Sequence, residues 1–330
     1  MYPWLTTHFE QLSALNNELP SKLLLLADTG TGKSFLAYEL ARNLLCPNKN
    51  NEPSKTDCDC NSCTLFRSHN HPDYHVLTTE AVLAKEETEH MSGGMRYIPD
   101  DRRKRSKGHP REIISIDQVR PLVDEIRAGA NLGFGKVVTI SPAESLNTNA
   151  ANALLKVLEE PPSETYFLIT ANSSHSLAPT ILSRCACYRL HITNDHAIVD
   201  WLVARLSCSR SHAQELLKYT GGSPFEALEA GQYTNIVGDS SFKSDLAALV
   251  TGVLSPMEAS KRWLDSPVRI TLKWLQRSML ATVKAGIEGS NVQDLTTIYR
   301  VLGPDGCIAV YQEAGEYLQW PPRSVDEELF

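Results

Sequence analysis

The stretch LLLLADTGTGKS, residues 23–34, constrains this chain more than any other. Leu23 to Leu26 is a run without a polar residue, the pattern of a strand buried on both faces of a parallel sheet. A glycine turn follows, and FLAYELARNLL then places Leu36, Leu40 and Leu44 on one helix face. Strand, glycine turn and helix, in that order, are the setting of a phosphate loop. Ala27-x4-Gly32-Lys33-Ser34 fits the loop pattern, except that alanine stands at the first glycine. Backbone N–H groups about Gly30 and Gly32 would cradle phosphates, Lys33 would meet the β and γ oxygens, and Ser34 would hold Mg²⁺. The candidate ligand is ATP or ADP. A fold relic with an empty loop fits the same residues.

Further strands are expected at YHVLT (74–78), KVVTI (136–140) and YFLIT (166–170), with helical patterns between them. That alternation predicts a parallel α/β sheet. Residues 80–112 interrupt it: the stretch starts acidic, carries Gly93-Gly94 and ends in DDRRKRSKGHPR, the pattern of a long exposed loop. From about residue 193 the strand signal vanishes. DHAIVDWLVARL, SHAQELLKY and SPFEALEA are expected to be three short helices, the last with Ser223 as N-cap and Pro224 in its first turn. A linker-like GDSS (238–241) precedes a helical remainder. These shifts set three parts: 1–191, with a cysteine insert at 46–63 and the extra loop at 80–112; 192–233; and 234–330.

Hydrolysis needs a carboxylate at a later strand end to hold the magnesium shell, and a second to orient water. KVVTI is followed by Ser141-Pro142-Ala143-Glu144. Serine brings no charge and proline no functional side chain. Glu144 stands three residues too late and has the place of a residue opening the next helix. The pattern argues against autonomous hydrolysis.

Four of the eight cysteines form Cys46-x11-Cys58-x-Cys60-x2-Cys63. Four thiolates are what a closed structural zinc site takes, and Cys60-Asn-Ser-Cys63 has knuckle spacing, although Cys58 to Cys60 is one residue short. Reduced thiols in a loop are the plainer reading. The net charge of −7 excludes a basic nucleic-acid coat. Arg102-Arg103-Lys104-Arg105, with Lys107 and Arg111, could touch phosphates, but its flanking acids and glycines fit a solvated loop better. No apolar run approaches a membrane span and the opening MYPWLTTHFEQL lacks a signal-peptide core, so the expected compartment is the cytoplasm. The closing VDEELF is expected to be a frayed end.

The run ANALLKVLEEPPSETYFLITANSSHSLAPTILSRC strongly resembles the clamp-loader subunits of bacterial DNA polymerase III, a branch of the AAA+ proteins. Asn152-Ala153-Leu154-Leu155-Lys156, Leu158-Glu159-Glu160-Pro161-Pro162 and Ser183-Arg184-Cys185 stand at that family's spacing. His71-Pro72-Asp73-Tyr74, the four-cysteine insert and the opening Tyr2-Pro3-Trp4 are similar too, and point to the delta-prime type rather than the gamma/tau motor type. The likeness covers residues 1–230.

The resemblance implies a RecA-like α/β domain, a small helical lid and a helical collar domain that joins a ring of five subunits. It implies that Arg184 reaches the ATP of a neighbouring motor subunit as an arginine finger. Implied partners are the gamma/tau motor subunits and the delta subunit, with the sliding clamp and primed DNA met through the complex. Active members carry a lid arginine in a Gly-Ser-x-Arg context, and here Gly222-Ser223-Pro224-Phe225 has phenylalanine. The expectation is a non-hydrolysing subunit that holds nucleotide, if any, as a structural ligand. The alternatives are an autonomous P-loop ATPase, using an acid not identified in the sequence, and a zinc-containing DNA-binding module.

Overall fold

The computed structural model describes residues 1–15, 18–48, 58–84, 86–103, 110–192, 195–232, 240–263, 268–289 and 292–319. The chain divides into two units, Met1–Asn194 and Asp195–Phe330.

The first unit opens with a 3-10 turn (Pro3–Leu5) and α1 (Thr6–Ala14), followed by β1 (Lys22–Leu26), α2 (Lys33–Leu44), α3 (Asn61–Arg67) and β2 (Tyr74–Leu77). It continues through α4 (Glu80–Leu83), α5 (Asp100–Arg103), α6 (Ile116–Arg127), β3 (Lys136–Ile140), α7 (Thr148–Glu159), β4 (Thr165–Ala171), α8 (Pro179–Leu182) and β5 (Ala186–Arg189). All five strands are parallel, in the order β2-β3-β4-β1-β5. This is the parallel sheet flanked by helices that an AAA+ module requires. Leu24, Leu26, Val138, Ile140, Phe167 and Ile169 pack with Val119, Leu122 and Ile126 of α6 and with Ala150, Leu154 and Leu158 of α7. The alternate residues Leu23, Leu25, Val137 and Leu168 are equally buried, and α2 lies against β3 and β4. Two buried faces explain why the strands are continuous apolar runs rather than alternating ones.

Phe167 is fully buried at the centre of this core. Phe167→Ala is expected to lower stability by about 3–5 kcal/mol in a denaturant titration, from lost transfer energy plus the cavity left behind. A cost below about 1 kcal/mol would mean that the ring is not packed as described.

Among the described residues of 80–112, the expected exposed loop is instead largely folded. A 3-10 run (Glu86–Tyr97) joins α4 to α5, and Met91, Tyr97 and Ile98 are buried. Gly94 lies so close to β2 that a Cβ on it would stand 2.6 Å from the Thr78 methyl, which accounts for a glycine there. Arg102 makes a two-point contact with Glu80 (Nε to Oε1 2.9 Å, Nη2 to Oε2 2.7 Å), and Arg103 donates to the Ile98 and Arg96 carbonyls. These two arginines are therefore spent on the fold. Lys104, Arg105 and Lys107 lie outside the described residues.

The second unit is helical: α9 (Asp195–Leu206), α10 (Arg210–Tyr219), α11 (Pro224–Gly231), α12 (Ser240–Val250), α13 (Pro256–Trp263), α14 (Val268–Glu288) and α15 (Gln293–Gln319). The last is broken at Gly303, whose φ of +66° favours glycine. Glu226 of α11 joins the two parts set by the sequence pattern, pairing with Lys273 and Arg277 of α14, each at 2.8 Å. Burial would raise its pKa, but these two cations outweigh burial and hold the carboxyl below its usual range. The expected boundary after 233 and the first half of the GDSS linker lie outside the described residues, as does the VDEELF tail. No helix among the described residues is long and apolar enough to cross a membrane.

Candidate functional site

The phosphate loop sits between β1 and α2. Gly32 caps α2 with φ +90°, a conformation that lets the loop wrap inward without Cβ strain. The opening residues brace it: the Trp4 indole donates to the Thr31 carbonyl (3.0 Å), Tyr2 stacks on Trp4 and meets the edge of Phe35. The Lys33 ammonium is buried and donates to the Asp28 carbonyl (3.2 Å) and to Asn172 Oδ1 (2.7 Å). Asn172 follows β4 directly and also accepts from the Thr29 hydroxyl (3.1 Å). Ser34 Oγ shares a hydrogen bond with His90 Nε2 (3.1 Å), which comes from the 3-10 run of residues 80–112.

At the end of β3, Ser141 Oγ accepts from the Thr170 hydroxyl (2.7 Å), a neutral pair where a magnesium-holding acid is missing. Glu144 does not open α7. Asn147 does so, its side chain accepting from the Ala150 N–H (2.8 Å). Glu144 lies in a separate 3-10 turn, where Oε1 accepts from the Asn172 N–H (3.1 Å) and Oε2 is buried without a hydrogen-bond partner among the described residues. A carboxylate thus adjoins the residue that holds Lys33, which spacing alone did not reveal.

Arg184 lies just beyond α8. Its Nε donates to Glu159 Oε1 (3.0 Å) and its Nη2 to the same oxygen, while Nη1 donates to the Thr180 carbonyl (2.8 Å) and Ser183 Oγ (3.2 Å). Glu159 closes α7, so the Leu-Glu-Glu-Pro-Pro and Ser-Arg-Cys stretches meet in space. The side edge of the guanidinium is held, and the side chain keeps 30% of its exposure. A second N–H on Nη2 remains for an external acceptor.

The four clustered cysteines converge, with all Sγ atoms within 4.8 Å of one another. Cys46 Sγ is 3.7 Å from Cys58 Sγ and 3.9 Å from Cys60 Sγ. Zn–S bonds of about 2.3 Å at tetrahedral angles place sulfurs roughly 3.8 Å apart, so the donor set fits a structural ion despite the short Cys58–Cys60 spacing. Burial pushes the Cys46 and Cys63 thiols up. Hydrogen bonds from the Cys60 N–H and the Asn48 amide pull the partly buried Cys58 down to about 6.

His71-Pro72-Asp73-Tyr74 is structural. The buried Asp73 carboxylate accepts from the Asn131 N–H (2.7 Å), the Asn131 amide (2.9 Å) and the Leu132 N–H (2.9 Å). His71 Nε2 bonds with Ser62 Oγ (2.9 Å), which donates to the Leu45 carbonyl and so ties α3 to α2's end. Phe225, at the lid-arginine position, packs edge-on against Trp201 with centroids 5.5 Å apart.

Two histidines beside these sites, His75 buried and His90 partly buried, are expected to make the fold acid-sensitive. Burial, with Arg96 and Lys136 adding, pushes His75 down to about 3; burial, with His69 adding, pushes His90 down to about 4. In the unfolded chain each titrates near ~6.5. The unfolded state therefore binds protons first, so the stability they carry is complete above pH ~6.5 and falls as pH drops toward 4. The melting temperature, followed from pH 7 down to about 4.5, is expected to fall through this window. A flat profile would mean that these imidazoles are solvated.

A family profile described as "DNA polymerase III, delta subunit" matches residues 5–194. The "DNA polymerase III subunit delta'" of Haemophilus influenzae is 32% identical over 234 residues, 70% of this chain and 62% of that protein. The protein of the same name from Pseudomonas aeruginosa is 29% identical over 318 residues, 92% of this chain and 84% of that protein. Among solved structures, a DNA polymerase III gamma subunit-related protein from Thermotoga maritima aligns with a TM-score of 0.44 at 16% identity, over 97% of this chain and 95% of its own.

Proposed function

Because the chain belongs to the DNA polymerase III delta-subunit family, we propose that it is the delta-prime-type subunit of a replicative clamp loader, lending an arginine to a neighbouring ATPase without hydrolysing ATP itself. The observation that carries this reading is the anchoring of Arg184, held from the side by Glu159 and from below by Thr180. Its partly exposed guanidinium, with an N–H of Nη2 still to spare, suits a γ-phosphate oxygen of a nucleotide bound by the next subunit, where a guanidinium stabilises the charge of phosphoryl transfer. Within the chain's own loop, Lys33 is bonded to protein acceptors and Ser141 offers no charge. ATP or ADP there would be a structural ligand, with Gly30, Gly32, Lys33 and Ser34 as its cradle.

The partners are gamma/tau motor subunits and the delta subunit, and the sliding clamp and primed DNA are reached through the assembled ring in the cytoplasm. Cys46, Cys58, Cys60 and Cys63 hold zinc as a staple with no open coordination position, and the zinc takes no part in phosphoryl transfer. An autonomous ATPase is favoured by one feature, the Glu144 carboxylate beside Asn172. Mixing the purified chain with motor and delta subunits tests the assignment by assembly: a complex containing all three on gel filtration is expected. Failure of this chain to enter it would remove the reading.

A further inference from the structure

Two features have no task so far: a phosphate loop that keeps Gly32-Lys33-Ser34, and the 3-10 run Glu86–Tyr97 with α4 and α5 on either side of it. They meet at one contact, His90 on Ser34. We propose that His90 sets the ligand specificity of the loop: it takes the Ser34 hydroxyl that would coordinate magnesium, so the loop has no preference for a magnesium-bound nucleotide.

In a phosphate loop this hydroxyl is a magnesium ligand, and the ion demands near-octahedral oxygen donors at about 2.0–2.1 Å, most of them water or phosphate. The imidazole's hydrogen bond engages the Ser34 hydroxyl and holds it out of that shell, a hold that a ring without a nitrogen cannot make. The ring is not loosely placed. It packs edge-on against Phe35 and Tyr38, with centroids 5.7 and 5.9 Å away. Next in the chain, Met91 is fully buried. Farther along, the Tyr97 hydroxyl bonds with His75 (2.6 Å) and donates to Glu125 (2.6 Å), and Arg102 clamps Glu80. The run is thus fixed at several points along its length.

The inference rests on residues 30–34 being a phosphate cradle, and the test separates the two. The full chain is titrated with a fluorescent ATP analogue, in magnesium and in EDTA, for the parent and for His90→Phe, which keeps a ring against Phe35 and Tyr38. His90→Asn serves as a second variant, and melting curves establish that each is folded. The parent is expected to bind equally with and without magnesium. His90→Phe is expected to bind about tenfold more tightly in magnesium than in EDTA, and Ser34→Ala added to it is expected to erase that gain. A parent that already prefers magnesium, or folded His90 variants that gain nothing, would overturn the proposal. Lys33→Ala in the His90→Phe background reports on the cradle: undiminished binding there would sink the phosphate-loop reading and leave Ser34 dependence to judge His90. Absence of binding by every variant would overturn both.

Discussion

Arg184→Ala is expected to lower ATP turnover at the neighbouring site it serves by about 10³-fold, the lower end of what arginine fingers contribute. The loss should fall on kcat, because the guanidinium meets charge that develops during transfer. Arg184→Lys should rescue little, since an ammonium keeps the charge but loses the planar fork that Glu159 and Thr180 aim. Assembly and melting temperature should barely move: the pair with Glu159 is partly exposed, and such pairs contribute about 0–1 kcal/mol. A single-turnover measurement on the assembled complex separates these effects. Turnover equal to the parent's would remove Arg184 from the chemistry.

The second large effect is expected at the cysteine cluster. Without a metal, burial keeps the Cys46 and Cys63 thiols protonated and crowds them against Cys58 and Cys60. A zinc ion would hold all four sulfurs as thiolates, offsetting half of their charge, and bind the end of α2 to the start of α3, and the binding free energy of such a site is folding free energy. Metal analysis of the purified chain is expected to find zinc, and Cys63→Ser to lose it, with faster proteolysis near residues 46–63 and a lower melting temperature. Cys187→Ser, at an exposed cysteine outside the cluster, should retain the ion. Zinc-free parent protein that melts like Cys63→Ser would count against the staple.

Much of the first unit is legible in the sequence because its buried strands are short uninterrupted apolar runs. β5 is not: Ala186-Cys187-Tyr188-Arg189 is a largely exposed edge strand without apolar continuity or clean alternation. The 80–112 stretch was expected to be a loop because its buried residues, Met91, Tyr97 and Ile98, are scattered among charges at no regular period. Four thiols at knuckle-like spacing announce their own convergence. The contacts that define the other sites join residues far apart in sequence, and no spacing rule links His90 to Ser34 or Glu159 to Arg184. Asn172 was within reach of inspection, since it follows a predicted strand directly, where a polar side chain overlooks the loop. Counting along β3 places Glu144 too late, whereas a 3-10 turn brings its carboxylate to Asn172, just past β4.

On the proposed function, this chain lends an arginine and does not hydrolyse ATP. Steady-state ATP hydrolysis by the purified chain alone, with Lys33→Ala beside it, tests that most directly, followed by the same assay with motor subunits, delta, clamp and primed DNA. No turnover above background is expected for either chain alone, and turnover in the mixture is expected to survive Lys33→Ala. Turnover by the chain alone that Lys33→Ala abolishes would contradict it, and would make Glu144 the acid that the strand end lacks.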